Sequence, residues 1–189
     1  MKKDIGAKTL LFPTPVLLVA TYDAAGKPNA MTAAWGGICN SSPPCVTVSL
    51  RKATYTYESL VSKKAYTVNI PGKKHAVEAD YMGIASGRDA DKFAVTGFTP
   101  VRSEFVDAPY IEECPVNLEC KIVHIADLGL HTQFVGEILN IKADESLLEK
   151  DGKPMIEQIM PLIFDTESRH YYTLGEPVGK AFSIGKPLS

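Results

Sequence analysis

The sequence predicts a mainly β fold, a closed or partly open barrel of about six strands with helices at its periphery. Short apolar or alternating runs recur along the chain, turn clusters separate them, and helical periodicity is confined to a few short segments. With 189 residues, 45% of them hydrophobic and 22% charged, the chain is long enough to bury a full core. We expect a single domain over residues 1–189.

The strand signals begin with an apolar run at residues 16–22. A turn cluster joins it to residues 29–35, so we expect a hairpin. Residues 45–51 alternate in polarity and place their three aliphatic side chains on one face. Further strands are predicted at residues 66–70, 118–126, 133–143, 161–165 and 169–174.

Helical signals are fewer than strand signals. Tyr57, Leu60 and Val61 have helical spacing within residues 56–61, and residues 75–84 show a similar period. A helical turn is expected at or beside residues 91–93. These short helices are expected to lie around the barrel.

The junction between a strand end and a helix start predicts an anion site. A strand ends at Arg51 and a helix begins near Thr56, so unpaired N–H groups and the positive end of a helix dipole lie together. Ser49 shares a strand face with Arg51, whose guanidinium can hold a phosphate bidentately. Thr54 and Thr56 add hydroxyl donors. The alternative is that one threonine only caps the helix and that Arg51 is a solvated strand end.

Residues 31–37, MTAAWGG, combine small side chains with one large aromatic. Small side chains let backbone amides approach a flat ligand such as the isoalloxazine ring of a flavin, whose polar edges need donors and acceptors. The alternative is an ordinary packed strand with Trp35 in the core.

Together these segments resemble the signature region of the flavin-reductase-like FMN-binding proteins. Residues 29–60 read NAMTAAWGGICNSSPPCVTVSLRKATYTYESL and contain the elements MT-x-x-W, PP-x-V-x-V-S and T-x-x. The elements VN-P, SG-x-x-x-DKF and GE-I follow at Val68, Ser86 and Gly136, and residues 161–162 and 171–172 match the closing strands. The resemblance covers nearly the whole chain, and its specificity comes from the order and spacing of the elements.

The resemblance implies an FMN-binding split β-barrel with Greek-key topology, a homodimer, and FMN near the subunit interface. Within the family, the pattern is most similar to flavoredoxin, an electron-transfer flavoprotein. The implied roles are backbone contacts to the ring, contacts to the phosphate, a lysine that reaches the flavin and a phenylalanine beside the ring. The implied cofactor-binding residues are Met31, Thr32, Ala33, Ala34, Trp35, Ser49, Leu50, Arg51, Thr54, Thr56, Lys92 and Phe164.

His131 is the one catalytic candidate. Nicotinamide-using relatives often carry Gly-Asp-His before the GE-I strand, where the histidine helps to place the nicotinamide, and this chain carries Gly129-Leu130-His131. A neighbouring carboxylate orients a histidine and raises its pKa, and Leu130 can do neither. We therefore expect slow reduction by NAD(P)H and faster reduction by a protein donor. The alternative for His131 is an exposed turn residue.

The four cysteines, Cys39, Cys45, Cys114 and Cys120, include no Cys-x-x-Cys pair, so no metal site is expected. Buried inert thiols are the simple interpretation. Cys39 also counts among the cofactor-binding candidates, because it follows Gly37 by two residues, and its oxidation is expected to change flavin occupancy or reactivity. The alternative is that Cys39, too, is inert.

Composition excludes several classes of function. The formal net charge of −2 argues against nucleic acid as a partner, and no apolar run approaches the roughly 20 residues that span a bilayer. Charged residues and prolines interrupt the apolar stretch near the start, so we expect a cytoplasmic protein without a signal peptide. The motifs of classical dehydrogenases, P-loop proteins and serine hydrolases are absent from the sequence.

Three functions remain open. The first is an oxidoreductase of the flavin reductase type, with FMN as cofactor and NAD(P)H as co-substrate. The second is an electron carrier between protein partners, and the third is a small-molecule carrier without redox activity. The chain has more large apolar residues than one small barrel needs, so we expect some of them at a dimer interface. The candidates are Met31, Trp35, Phe134 and Phe164.

Overall fold

A seven-stranded antiparallel sheet forms the centre of the computed structural model, which describes residues 1–188. The strands are β1 (Thr14–Pro15), β2 (Leu17–Tyr22), β3 (Pro28–Ala33), β4 (Gly36–Ser41), β5 (Pro44–Arg51), β6 (Ala65–Ile70), β7 (Pro100–Arg102), β8 (Pro109–Ile111), β9 (Val116–Asp127), β10 (His131–Ala143), β11 (Ile163–Phe164) and β12 (Tyr171–Tyr172). The helices are α1 (Tyr55–Lys63), α2 (Ala76–Ile84), α3 (Lys92–Thr96) and α4 (Ile156–Ile159).

The strand order in the large sheet is β3-β2-β6-β9-β10-β5-β4, and every neighbouring pair is antiparallel. Neighbours that are distant in sequence, such as β2 with β6 and β10 with β5, give the predicted Greek-key crossovers. Two small sheets, β1-β11-β12 and β7-β8, flank it. The prediction of a mainly β fold with peripheral helices is therefore confirmed.

The sheet curls until β4, at one end, meets β2, the second strand from the other end. A Cβ built on Gly36, in β4, would lie 2.8 Å from Cδ1 of Leu17, in β2, and 2.7 Å from the carbonyl oxygen of Thr47. Real Cβ atoms do not approach backbone atoms this closely, so the Thr47 carbonyl of β5 requires glycine at position 36, and the lack of a side chain there leaves room for Leu17.

Most predicted elements form where the patterns placed them. Val46, Val48 and Leu50 are buried on one face of β5, as the alternation predicted. The first hairpin turns at Asp23, whose Oδ1 accepts hydrogen bonds from the N–H groups of Ala25 and Lys27. The predicted strands at 161–165 and 169–174 do pair, but each contains only two residues.

The large sheet has seven strands, close to the expected number of about six. The strand that was not predicted, β4, is an edge strand whose last four residues are exposed and whose sequence shows no apolar alternation. The expectation for Phe134 is wrong. Phe134 lies fully buried in the core against Tyr57, with ring centroids 5.7 Å apart, so it is not available at an interface. Across residues 1–188, no helix has the length and apolar character needed to cross a bilayer.

Candidate functional site

A cleft of about 210 Å³ opens between β3, the start of α1 and the loop that follows α2. We call it the Met31 cleft, and its lining residues are Met31, Ala53, Thr54, Tyr55, Met82, Gly83, Ile84, Ala85, Ser86, Gly87, Arg88 and Lys92. It brings together three residues that the sequence predicted, Met31, Thr54 and Lys92. The walls combine apolar side chains with a helix start and two cationic side chains.

Helix α1 begins at this cleft without a side-chain cap. Thr54 occupies the cap position, but its Oγ1 donates a hydrogen bond to the carbonyl oxygen of Arg51 at 2.9 Å instead of accepting one from the first turn. The first-turn N–H groups and the positive end of the helix dipole therefore lack a side-chain acceptor. The interpretation of Thr54 as a side-chain cap is thus wrong, and the arrangement suits an anion.

Thr56 lies inside the first turn and faces the protein interior. It is 1% exposed, and its Oγ1 accepts a hydrogen bond from Nδ2 of Asn29 at 2.9 Å. Gly87 packs directly against this pair, because a Cβ at position 87 would lie 2.3 Å from Oδ1 of Asn29 and 2.5 Å from Cδ1 of Tyr55. Glycine at position 87 thus lets the loop after α2 close against the start of α1.

Ser49, Leu50 and Arg51 lie at the end of β5, outside the lining of the cleft. Arg51 is exposed and pairs in register with His131, and Ser49 is half-buried opposite Gln133. The side chain of Leu50 is buried in the core, so only its backbone is available to a ligand. The exposed Arg51 lies four residues before Tyr55, the first residue of α1, so its role toward a phosphate stays a prediction.

Arg88 lies within the SG-x-x-x-DKF element but was not predicted as a site residue. Its Nη1 donates to the carbonyl oxygen of Ala53 at 3.1 Å, and its guanidinium carbon lies 5.5 Å from the ring centroid of Tyr55. Tyr55 in turn donates through its hydroxyl to Oδ2 of Asp23 at 2.8 Å. Burial alone would raise the pKa of Asp23, but hydrogen bonds, among them that from Tyr55, lower it overall. These contacts hold a guanidinium beside the helix start.

Lys92 is the buried cation of the site. It is 4% exposed, and its Nζ donates to the carbonyl oxygen of Met82 at 2.9 Å. The neighbouring Asp91 does not neutralise it, since Asp91 caps α3 through the N–H of Ala94 and pairs with Lys27 at 3.1 Å. Burial lowers the pKa of Lys92 to about 8, because the ammonium loses hydration.

The other predicted residues lie outside the lining of the cleft. Thr32 donates through Oγ1 to the carbonyl oxygen of Ala79, and Ala33 is buried in the core. Ala34 and Trp35 connect β3 to β4, and Trp35 is 36% exposed, so its placement in the core is wrong. The carbonyl oxygen of Trp35 accepts the N–H of Ser49 at 2.8 Å.

Cys39, His131 and Phe164 are also separate from the cleft lining. Cys39 is exposed on β4, and His131 is half-buried at the start of β10. Phe164 packs on the second core cluster and against Tyr171, with ring centroids 5.6 Å apart. Their proposed roles toward a cofactor stay predictions.

The chain matches one family model and is similar to several solved structures. The family model described as "Flavin reductase like domain" matches residues 9–175. The structure of flavoredoxin of Desulfovibrio vulgaris (Miyazaki F) is 53% identical, has a TM-score of 0.94, and the match covers 98% of this chain and 100% of that chain. Flavoredoxin from Methanosarcina acetivorans is 32% identical, with a TM-score of 0.93 and full coverage of both chains.

A more distant structure shares the fold alone. An FMN-binding protein from Thermus thermophilus is 19% identical with a TM-score of 0.80, and the match covers 95% of this chain and 99% of that chain. The split-barrel fold class and the resemblance to flavoredoxin within the flavin-reductase-like family are both confirmed.

We predict that Lys92 makes stability depend on pH in a defined window. Its pKa is about 8 in the folded protein, against an ordinary value of 10.5, so between these values the unfolded chain holds a proton that the folded chain has lost. The free energy of unfolding should therefore rise with pH from 8 to 10.5, by up to about 1.4 kcal/mol per pH unit from this group. Denaturant unfolding of the native chain and Lys92→Met across this range measures the difference.

In the Lys92→Met variant this rise should be missing. The exposed Lys121→Met, which also removes a lysine side chain, is the matched control. If the unfolding free energies of native protein and Lys92→Met stay parallel from pH 7 to 11, the folded-state pKa of Lys92 is not lowered and the prediction fails.

Proposed function

This chain belongs to the flavin reductase-like domain family, and we propose that it binds FMN at the Met31 cleft and acts as an oxidoreductase. In this role it passes electrons from NAD(P)H to the flavin or to a further acceptor. The observation that carries the proposal is the uncapped start of α1 in the same cleft as the buried cation Lys92.

The donor set of the cleft fits FMN. A phosphate needs several N–H donors and positive charge, which the start of α1, Arg88 and the nearby Arg51 can supply. A flat ring needs apolar walls, which Met31 and the exposed Ile84 provide. FMN, when bound, would supply the hydride and electron chemistry, and the protein would supply binding, orientation and electrostatics.

Lys92 is suited to hold a proton and a positive charge beside the ring. With a pKa of about 8, its ammonium is mostly protonated at neutral pH. Only one hydrogen-bond acceptor, the carbonyl oxygen of Met82, is found for it in the described chain, so further N–H donors on Nζ can turn toward the cleft. Negative charge placed on a ligand next to Nζ would be stabilised, because the low local dielectric strengthens the attraction.

A carrier function between protein partners is the second candidate. It is favoured by the 53% identity to a flavoredoxin and by the turn at residues 128–131, where Leu128 and Leu130 are exposed at 61% and 65%. Leu130 occupies the place where nicotinamide-using relatives often have Asp, so His131 lacks that carboxylate partner. In this role a protein donor would reduce the flavin faster than NADH or NADPH.

A second copy of the chain would complete the cofactor site. The Met31 cleft, at about 210 Å³, is smaller than the 300–1,000 Å³ usual for small-molecule sites. Trp35 and Ile38 are large apolar side chains on the exposed β3–β4 edge, at 36% and 70% exposure. We expect a homodimer by light scattering at micromolar concentration, and a flavin-loaded monomer would contradict this part of the proposal.

Arg51→Ala should weaken the binding of FMN much more than the binding of riboflavin, because only FMN carries the phosphate. A charged hydrogen bond contributes about 1.5–3 kcal/mol, which corresponds to roughly a ten- to hundredfold loss in affinity. Flavin fluorescence titration with both ligands measures the two losses. The adjacent Lys52→Ala is the matched control, since Lys52 is held by an ion pair with Asp127. Equal losses of affinity for FMN and riboflavin in Arg51→Ala would contradict the assignment of Arg51 to the FMN phosphate.

Reduction of the bound flavin by NADH or NADPH should be slow. Hydride transfer requires ordered stacking of the nicotinamide, and His131 lacks the neighbouring carboxylate that would orient it. Stopped-flow absorbance measures the rate, and Leu130→Asp should increase it. A slow but saturable phase with either nicotinamide supports the oxidoreductase role, and no reduction by either would leave the carrier function. A fast, saturable phase would support the reductase and contradict only the expectation of slow reduction. A protein that stays colourless with excess FMN would overturn flavin binding altogether.

A further inference from the structure

The hairpin formed by β4 and β5 carries two cysteines at facing positions. The register pairs Ile38 with Val46 and then Asn40 with Cys45, so Cys39 is the extra residue of a β-bulge. In a bulge, two residues of one strand oppose a single residue of the other. Cys39 and Asn40 therefore share Cys45 as their cross-strand partner.

This arrangement matches the spacing that a disulfide needs. Directly opposed residues in antiparallel strands have Cα atoms about 4.5–5.5 Å apart, and disulfides span about 4.4–6.8 Å between Cα atoms. Ile38 and Asn40 pair with Val46 and Cys45, which lie on opposite faces of β5, so the bulge interrupts the alternation at Cys39 and leaves it beside Asn40, opposite Cys45. The Cys45 thiol is among the groups that shift the pKa of the Cys39 thiol, in agreement with this short separation across the hairpin.

The two thiols differ in exposure. Cys39 is exposed, whereas Cys45 is 4% exposed and its Sγ donates a weak hydrogen bond to the carbonyl oxygen of Pro43 at 3.4 Å. Burial raises the pKa of the Cys39 thiol, and the neighbouring Cys45 thiol raises it further, in agreement with their proximity. The Cys39 thiol can therefore react with a reagent from solution, whereas the buried Cys45 thiol can react only afterwards, with Cys39.

We propose that Cys39 and Cys45 form a reversible cross-strand disulfide, with a low-molecular-weight disulfide as the oxidant. The Cys39 thiolate attacks one sulfur of the reagent, breaks its S–S bond and releases one thiolate. The Cys45 thiolate then attacks Sγ of Cys39 and releases the second. Two protein thiols are oxidised to one disulfide, the reagent is reduced to two thiols, and the two protein protons are taken up by the released thiolates.

The bond would join the edge strand to the body of the sheet. β4 is bonded to β5 on one side only, and the turn between them spans residues 42–43. Oxidation would consume the exposed thiol and close the hairpin covalently near its turn. This inference does not depend on the proposed flavin function, because it rests on the register of the hairpin.

The test treats the purified protein, with any flavin it retains, with oxidised glutathione, then blocks remaining thiols with N-ethylmaleimide and digests with trypsin. Cys39 and Cys45 fall in one peptide ending at Arg51, and Cys114 and Cys120 fall together in residues 103–121. We expect the first peptide to lose two hydrogen atoms and carry no blocking group, and the second to be blocked at both thiols. Dithiothreitol should restore the first.

Two variants make the test decisive without relying on the native protein alone. In Cys45→Ser, Cys39 should retain glutathione as a stable mixed disulfide, because no second thiol resolves it. In Cys39→Ser, the buried Cys45 should stay unmodified. Stable glutathione on Cys39 of the native protein, with Cys45 still free, would overturn the proposal, and so would a Cys39–Cys39 link between two chains.

Discussion

The contact between β4, at one end of the large sheet, and β2, the second strand from the other end, constrains the rest of the structure. Gly36 of β4 lies against Leu17 of β2, and any side chain at position 36 would overlap the Leu17 side chain and the Thr47 backbone. The curl brings the β3–β4 connection across the end of β5, where the Ser49 N–H donates to the carbonyl oxygen of Trp35. β5 is thereby held at the point from which its last residue, Arg51, leads into the start of α1.

The start of α1 can serve as an anion site because its own side chains are engaged elsewhere. The Thr54 hydroxyl donates back to Arg51, and the Thr56 hydroxyl accepts from Asn29 in the interior. Glycine at position 87 lets the loop after α2 close against Asn29 and Tyr55. This loop carries Arg88 to the same place, so residues distant in sequence meet at one helix terminus.

Local patterns were sufficient for most strands of the large sheet and for the strand-to-helix junction. The alternation in β5 placed Val46, Val48 and Leu50 in the core, and Arg51 and Thr54 were correctly placed near a helix start. β4 was missed because an exposed edge strand needs no apolar pattern. Arg88 was missed because its role depends on the closure of the loop after α2 onto α1, which is a tertiary contact.

Burial of Lys92 links the stability of the protein to the occupancy of its cleft. The ammonium is desolvated, so below pH 8 the folded state bears an energetic penalty for keeping it charged. Asp91, the nearest acidic residue in sequence, is directed to the α3 cap and to Lys27 and does not relieve this penalty. A ligand with a negatively charged or electron-rich edge next to Nζ would relieve it and raise the pKa. Lys92 is therefore already charged and desolvated before a ligand binds. An anionic ligand gains electrostatic free energy from this charge that a neutral ligand of the same shape does not gain.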